Sequence, residues 1–492
     1  MLETTGMSRP IGRAYSIVAV CQALAAAASL LALRWLAAYV SPQAFGRYAL
    51  YQSVVAAGGL FLVSWPNAAL LRFGREEWNR RRRVGVTLAA RLFLFGVSAV
   101  LAIVMAWMFD TNLRMLLGVD RSPLLWLAAG LIVMPAAEMF IYMNQTVGHT
   151  EVYGYSPLVV KCTFLVFIAL IPVFGVNPTW QYLAGGIISA TALAATMTSL
   201  MLPAEAWRGF RVESTALTLL LRYSWSLPLA ALSTYVVNWV DSWVIRAFKG
   251  IGPVGVYNWA YQATAIAGLA FAPLAVVLTP RVIDARLSRD DERLARYIGA
   301  ILPAALIVAF AVDGVLAVLF PLLQVAAGPA YRSAYAVIVI LLSALPFQVL
   351  GYLVTPVANA VERLIPRFVM VGVVVAAVNA IGDLLLIPTI GINGAAISSA
   401  CAFTVGGLLQ VFVVRSAVDG FRPLWRYIAP AVVTAPALCG LLLLGPSIGA
   451  AVGVGVIFIG LCVGRFYYPL PVSEIDRLVA AMTLSPVPGS RE

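Results

Sequence analysis

The chain has 492 residues, 62% of them apolar and 11% charged, against about 25% charged in an average soluble domain. With a mean hydropathy of +0.93, these values exclude a soluble globular enzyme and a disordered chain. The apolar runs recur from end to end, so the class is an all-α polytopic membrane protein. The basic excess, 33 Lys+Arg against 21 Asp+Glu for a net charge of +12, lies mostly between those runs. It reads as membrane topology and not as affinity for nucleic acid.

Fourteen predicted spans follow in chain order: 14–38, 49–71, 86–109, 123–145, 153–174, 179–202, 223–245, 255–279, 298–320, 333–357, 368–388, 393–414, 427–444 and 447–467. The first follows Arg9 and Arg13 but runs on to Arg34-Trp35 with no small-residue cleavage site, so it is expected to be a retained helix. The last two are short and rich in Gly and Pro, which leaves twelve or thirteen spans open. The longest loop, 280–297, is charged at helical spacing and is expected to be an amphipathic cytoplasmic connector. With the N-terminus in the cytoplasm, 24 Lys+Arg fall on the cytoplasmic side and 6 on the other, while Arg34, Arg91 and Lys161 lie inside spans. That bias supports the alternation and puts both termini in the cytoplasm. The run Arg80–Arg83 is a topology determinant or a contact for anionic headgroups. The five cysteines (Cys21, Cys162, Cys401, Cys439, Cys462) all lie in apolar runs without CxxC spacing, and His149 is the single histidine. Neither a metal site nor a His-based triad is expected.

The first six spans and the next six read as two copies of one unit. Phe45-Gly46-Arg47-Tyr48 is answered by Val254-Gly255-Val256-Tyr257, a shift of 209 residues, and Pro66 and Arg72 by Pro273 and Arg281. Six spans is an even number, so both copies insert with one orientation, related by an axis along the membrane normal. Such parallel repeats place a ligand site between two lobes. The expected organisation is a first lobe over 1–203, a second over 204–418, two peripheral helices over 419–468 and a cytoplasmic tail over 469–492.

Several motifs then resemble one family. They are Ser-Pro-x-x-Phe-Gly-x-Tyr at Ser41–Tyr48, Ala-Leu-Leu-Arg-Phe at Ala69–Phe73 and Leu-Leu-Arg-Tyr-Ser-Trp-Ser-Leu-Pro at Leu220–Pro228. Next come Asn-Trp-Val-Asp-Ser-Trp-Val-Ile at Asn238–Ile245, Gly-Pro-x-Tyr at Gly328–Tyr331, and Asn379 with Leu386-Ile387-Pro388 and Gly391–Ala396. In order and spacing these resemble the O-antigen-type lipid-linked oligosaccharide flippases of the multidrug/oligosaccharidyl-lipid/polysaccharide exporter superfamily. The resemblance covers roughly residues 10–420. It implies movement of a polyprenyl-pyrophosphate-linked oligosaccharide to the outer leaflet of the inner membrane, for surface or exopolysaccharide. It implies alternating access around a central cavity, no catalytic site and no resident cofactor. It also implies contact with membrane lipids, and with polymerase or export machinery as further partners. A fold with its own cavity works as a monomer. The alternatives are a cation-coupled drug antiporter, against which stands the lack of any acid in span 1, and a peptidoglycan-precursor flippase, whose arginine cluster in span 1 is missing. A membrane glycosyltransferase would need acids at a membrane edge and a large outer loop, which the chain lacks.

Charges inside spans are costly and face a cavity or a partner. Lys161 and Glu138 lie at the same depth in consecutive antiparallel spans and are expected to form an ion pair, either structural or opening to a phosphate and a proton. Asn238 and Asp241 share a helix face, and Arg246 either caps that helix end with Asp241 or joins it at the cavity. Arg34 either snorkels or binds substrate. Asp313, Asp383 and Glu138 are candidates for proton or sodium coupling, with Asn379 and Asp383 four apart and so also able to satisfy each other. Arg91 reads as an anchor near a helix end. Trp35, Tyr39, Tyr48, Trp180, Trp239, Trp243 and Trp259 read as interfacial belt, with sugar stacking as the other use. Pro66, Pro228, Pro273 and Pro346 interrupt spans and are hinge candidates.

Overall fold

The computed structural model describes residues 11–225, 227–269, 282, 328–361 and 364–415. Among these residues every regular element is a helix. The first lobe comprises α1 (Ile11–Tyr39), α2 (Pro42–Gly58), α3 (Asn67–Arg81), α4 (Gly85–Met108), α5 (Asp110–Leu117), α6 (Leu124–Val147), α7 (Val152–Phe174) and α8 (Trp180–Leu200). A connector helix, α9 (Ser214–Ser224), leads to the second lobe: α10 (Leu227–Lys249), α11 (Ile251–Leu269), α12 (Ala334–Ser343), α13 (Leu345–Ala360), α14 (Ile365–Ile390) and α15 (Ile392–Arg415). Seven of the described helices are long and apolar enough to cross a membrane, or nine if each of two bent pairs is one span. Span 9 with Asp313, the end of span 8 with Pro273, the connector at 280–297 apart from Val282, and everything after residue 415 lie outside the described residues.

Outward faces are apolar. On α4, Phe93, Val97, Val100, Leu101 and Val104 are all exposed at three- and four-residue spacing. In water such a ridge would be a large sticky patch; in a bilayer it is the face lipid covers. Inward faces carry small residues that let helices approach. A Cβ on Gly154 of α7 would lie 3.0 Å from the Val18 Cα of α1, which fixes these two helices side by side.

The second predicted span is not one rod. Ser41 caps α2 by accepting from the Ala44 amide at 3.2 Å, with Pro42 in the first turn, a start the chain needs because Pro has no N–H to lose there. After Gly58 comes a π-helical turn, Gly59–Val63, then a break at Ser64–Pro66, and α3 leaves at 46° to the first part. Pro66 cannot donate back into the helix, so the break falls where proline puts it. Its freed carbonyls find other donors: Leu62 O accepts from Trp65 Nε1 at 3.2 Å, and Val63 O from Arg91 at 2.8 Å. A second bend, 44°, separates α12 from α13 next to Pro346. Pro228, by contrast, is the second residue of α10. There it starts a helix and kinks nothing, which corrects its reading as an interruption.

The two lobes meet along α2 and α11, the helices that carry the repeated motif. A Cβ on Gly46 would lie 2.1 Å from Ile251 O, and one on Gly255 would lie 2.0 Å from Pro42 O. The shift of 209 that carries Gly46 to Gly255 also carries Pro42 to Ile251. One contact is therefore made twice, as a two-fold relation between copies requires. Further bonds tie the same end together. Trp259 Nε1 donates to Leu33 O at 2.9 Å, and the Tyr331 hydroxyl to Val40 O at 3.1 Å. Trp259, Tyr48 and Trp180 are thereby core residues, each under 5% exposed, and not belt residues at a bilayer surface. The far ends of the spans hold the arginines: Arg80 and Arg81 end α3, and Arg83 just after it lies beside Gly209, next to Arg208, whose O a Cβ on Gly85 would meet at 2.3 Å.

Candidate functional site

Beneath the closed end, a cavity of about 190 Å³ opens between the lobes. The π turn of the broken span, α6 and α10 wall it, and its polar lining is Gln52, Ser64, Glu138 and Trp239. Glu138 does not meet Lys161. Its Oε2 accepts from Ser64 Oγ at 2.5 Å, and its charge lies within electrostatic reach of Arg91. The reason is packing: α6 and α7 are consecutive, yet α8 packs extensively against both and α7 lies mainly on α1 and α8. Equal depth put the two charges at one height but on different faces. Lys161 is half-buried, one turn from Phe164, and makes no hydrogen bond or ion pair with a described residue. Arg34 is exposed and equally without a partner among the described residues.

Arg91 is fully buried and not an anchor at a helix end. Its Nε donates to Asn67 Oδ1 at 2.9 Å and its Nη2 to Val63 O at 2.8 Å, while its guanidinium stands over the Phe95 ring. It thus ties both sides of the break in the span to α4. The sequence signal was present: Pro66 leaves carbonyls that need a donor, and Arg91 is the long donor of the next span.

A second cluster lies inside the second lobe, where α10, α11, α14 and α15 converge. Asp241 Oδ1 accepts from Asn379 Nδ2 at 2.8 Å, and its Oδ2 accepts from the hydroxyls of Ser399, at 2.8 Å, and Tyr257. Asn379 Nδ2 also donates to Asp383 Oδ2 at 3.0 Å, and Ser398 Oγ donates to Asp383 Oδ1. All six side chains are buried. One amide therefore bridges two carboxylates, with no basic residue among their hydrogen-bond partners in the described residues. Two ionised carboxylates in such a place cost several kcal/mol each, so the cluster is stable only with a proton or a cation shared between them. Asn379 Oδ1 is buried without a partner, an oxygen left over in a set of oxygen donors. The donors present suit a hard cation with oxygen ligands, such as sodium, as well as they suit a proton. Asn379 and Asp383 do touch each other, but they also reach Asp241. Tyr257, Ser398 and Ser399 were not legible as members, because each comes from another helix.

Asn238 points elsewhere, accepting from the Tyr261 hydroxyl at 2.9 Å. Arg246 does not cap α10 with Asp241; five residues apart, the two face different ways. Instead Arg246 crosses to the first lobe, where Nε donates to Leu116 O at 2.9 Å and Nη2 to Met115 O at 3.0 Å. It satisfies carbonyls at the C-terminal end of α5, the end of a helix that favours a cation.

Comparison with known proteins fits this architecture. The chain is 26% identical over 203 residues to the probable low-salt glycan biosynthesis flippase Agl15 of Haloferax volcanii, covering 41% of this chain and 42% of that protein. It is 27% identical over 211 residues to the probable flippase AglR of the same organism, again covering 41% of this chain and 42% of that protein. The matches thus span less than half the length of these relatives. Its fold superposes on the lipid II flippase MurJ in an inward closed conformation, with a TM-score of 0.67 at 14% identity over 92% of this chain and 98% of that one. It also superposes on an inward-facing multidrug resistance transporter of the MOP superfamily, with a TM-score of 0.61 at 16% identity over 84% and 99%. The family model described as polysaccharide biosynthesis protein matches residues 11–285, more than half the chain: the fold is that of a MOP-superfamily transporter, and the chain belongs to the polysaccharide biosynthesis protein family.

Proposed function

We propose that this membrane protein flips a polyprenyl-pyrophosphate-linked oligosaccharide from the cytoplasmic to the outer leaflet of the inner membrane by alternating access, and that it is a transporter and not an enzyme. The observation that carries the reading is the two-lobe contact: two repeated helices meet at one end through Gly46 and Gly255, above a cavity with polar lining. The positive-inside bias assigns the arginine-rich end to the cytoplasm, so the closed end is the outer one and the state is inward-facing. Two archaeal relatives named as probable flippases, one of them of glycan biosynthesis, support the substrate class. Lys161 and Arg34, cations without a partner among the described residues, are assigned to the diphosphate on its way across. Asp241, Asn379 and Asp383 are assigned to the coupling proton or sodium ion. When bound, that cation supplies the positive charge the two carboxylates lack. The residues' own part is to hold α10, α14 and α15 together when loaded and to let them part by repulsion when empty. A lobe pair with its own cavity is expected to work as a monomer, delivering substrate to polymerase or export machinery. The absence of any acid in α1 disfavours the drug-antiporter reading.

The test is to extract lipids from cells with and without the gene and quantify polyprenyl-pyrophosphate oligosaccharides by mass spectrometry. Accumulation of the complete lipid-linked repeat with loss of surface polymer supports flipping. An unchanged lipid pool refutes it, and truncated intermediates would assign the protein to synthesis.

A further inference from the structure

The cavity between the lobes has a chemistry of its own. Among the described residues no lysine or arginine lines it, which makes it a poor seat for a diphosphate. Trp239 of α10 stands on its wall, half-buried, and its indole makes neither a hydrogen bond nor a ring contact with any described residue. Indoles that deep usually place their N–H on a partner. Opposite, in the first lobe, Glu138 gives one oxygen to Ser64 Oγ. A carboxylate offers about four lone-pair sites, so acceptor capacity remains. Gln52 Nε2 donates to the Tyr48 hydroxyl at 2.9 Å, which orients the amide and leaves its Oε1 available. A flat apolar face with a free N–H, a carboxylate and an oriented amide thus converge on one space. The rest of the wall is apolar.

We propose that this cavity is a subsite for one uncharged sugar ring of the lipid-linked glycan, an inference that rests on the flippase reading above. A pyranose presents a face of C–H groups, which packs on an indole, and a rim of hydroxyls. Those hydroxyls donate to Glu138 and Gln52 and accept from Trp239 Nε1. Few polar groups placed in an otherwise apolar pocket is the usual composition of a small-ligand site. The carboxylate also selects: a hexuronic acid brought against Glu138 would set two negative charges together in a partly desolvated space, which disfavours it. Because Trp239 belongs to one lobe and Glu138, Gln52 and Ser64 to the other, the ring is held by both. The site is complete only while the lobes are in the arrangement described here.

Purified full-length protein in detergent, examined by native mass spectrometry, tests this with three probes: a polyprenyl diphosphate carrying one N-acetylhexosamine, the same lipid carrying one hexuronic acid, and the sugarless lipid. The N-acetylhexosamine lipid is expected to bind about tenfold tighter than the sugarless one, or about 1.4 kcal/mol, and the hexuronic lipid no tighter than the sugarless one. Trp239→Ala should erase the sugar advantage while sugarless binding, which also reports that the variant is folded, stays unchanged. Glu138→Gln should let the hexuronic lipid gain. A sugar advantage that persists in Trp239→Ala, a wild-type preference for the hexuronic lipid, or equal binding of all three overturns the subsite. If no polyprenyl diphosphate binds better than phosphatidylglycerol, the flippase reading itself fails.

Discussion

Replacing either Gly46 or Gly255 by alanine should force the closed end apart. The added Cβ would sit 2.1 Å from Ile251 O in one case and 2.0 Å from Pro42 O in the other. A carbon approaches a carbonyl oxygen to about 3.3 Å at best, so α2 and α11 must separate by about 1.2 Å. The obstacle is backbone in both cases, and no rotamer change relieves it. Overpacking of this kind costs about 1–3 kcal/mol. Because the strain exists only while the lobes touch, it is charged to the closed arrangement alone, and it shifts the equilibrium toward opening there by about 5- to 150-fold. The assay is maleimide labelling of a cysteine placed at Gln43, in a background without the five native cysteines, with Gly74→Ala as control. In that control the new Cβ would lie 2.8 Å from the Thr146 side chain, wholly within the first lobe. Labelling should rise in Gly46→Ala and Gly255→Ala by a similar factor and stay unchanged in Gly74→Ala. Equal labelling in all four proteins, or a rise in the control, refutes the claim that these glycines form the closing surface.

Other consequences can be measured separately. Asp241→Asn and Asp383→Asn should each abolish cation-dependent transport while the thermal midpoint holds or rises, because each removes a buried charge; transport that survives either change would remove the acids from coupling. Arg91→Leu strands Val63 O, Asn67 and Glu138 at once and should cost about 3–5 kcal/mol, read as lost thermal stability, with Arg91→Lys restoring only part because an ammonium lacks the fork that spans two acceptors. Lys161→Ala should lower transport about tenfold or more with no change in melting, since Lys161 has no partner to lose among the described residues. Between α5 and α6, the Ser122 hydroxyl and then Arg114 hold the Asp110 carboxyl below its ordinary value of 3.8. The clasp from α5 to the start of α6 is therefore fully present above that value and is lost as pH falls through the lowered one. Hydrogen exchange across 118–123 should accelerate on acidification, and Asp110→Asn should remove that dependence.

The spans were legible because each buries one stripe and offers another to lipid, and α4, α6, α7, α8 and α14 lie within a few residues of their predicted bounds. Charge segregation was legible for a similarly one-dimensional reason. Azimuth was not. Lys161 and Glu138 agree in depth, yet nothing in the chain states that α8 packs between their helices. Asn379 and Asp383 were readable as neighbours because four residues is one helical turn. Asp241 joins them across 138 residues, a separation that only the packing of α10 on α14 closes. Arg91 was misread because depth was counted from the start of its own helix, while the carbonyls that bury it belong to the break in another.

The two lobes have kept the same mechanics and divided the chemistry. At the shift that superposes Gly46 on Gly255, Tyr257 falls on Tyr48. In the second lobe that hydroxyl donates to Asp241; in the first it accepts from Gln52, which faces the cavity. The counterpart of α10 is α1, and it contains no acid. One repeat therefore ties its tyrosine to the site proposed for a proton or cation, and the other ties its tyrosine to the site proposed for the sugar. Both tyrosines lie two residues from a closing glycine, on the helices that must part. A change at either site is thus delivered to the same contact. That arrangement lets a cation taken up in one lobe and a sugar bound between the two act on a single opening, with no need for the two ligands to touch.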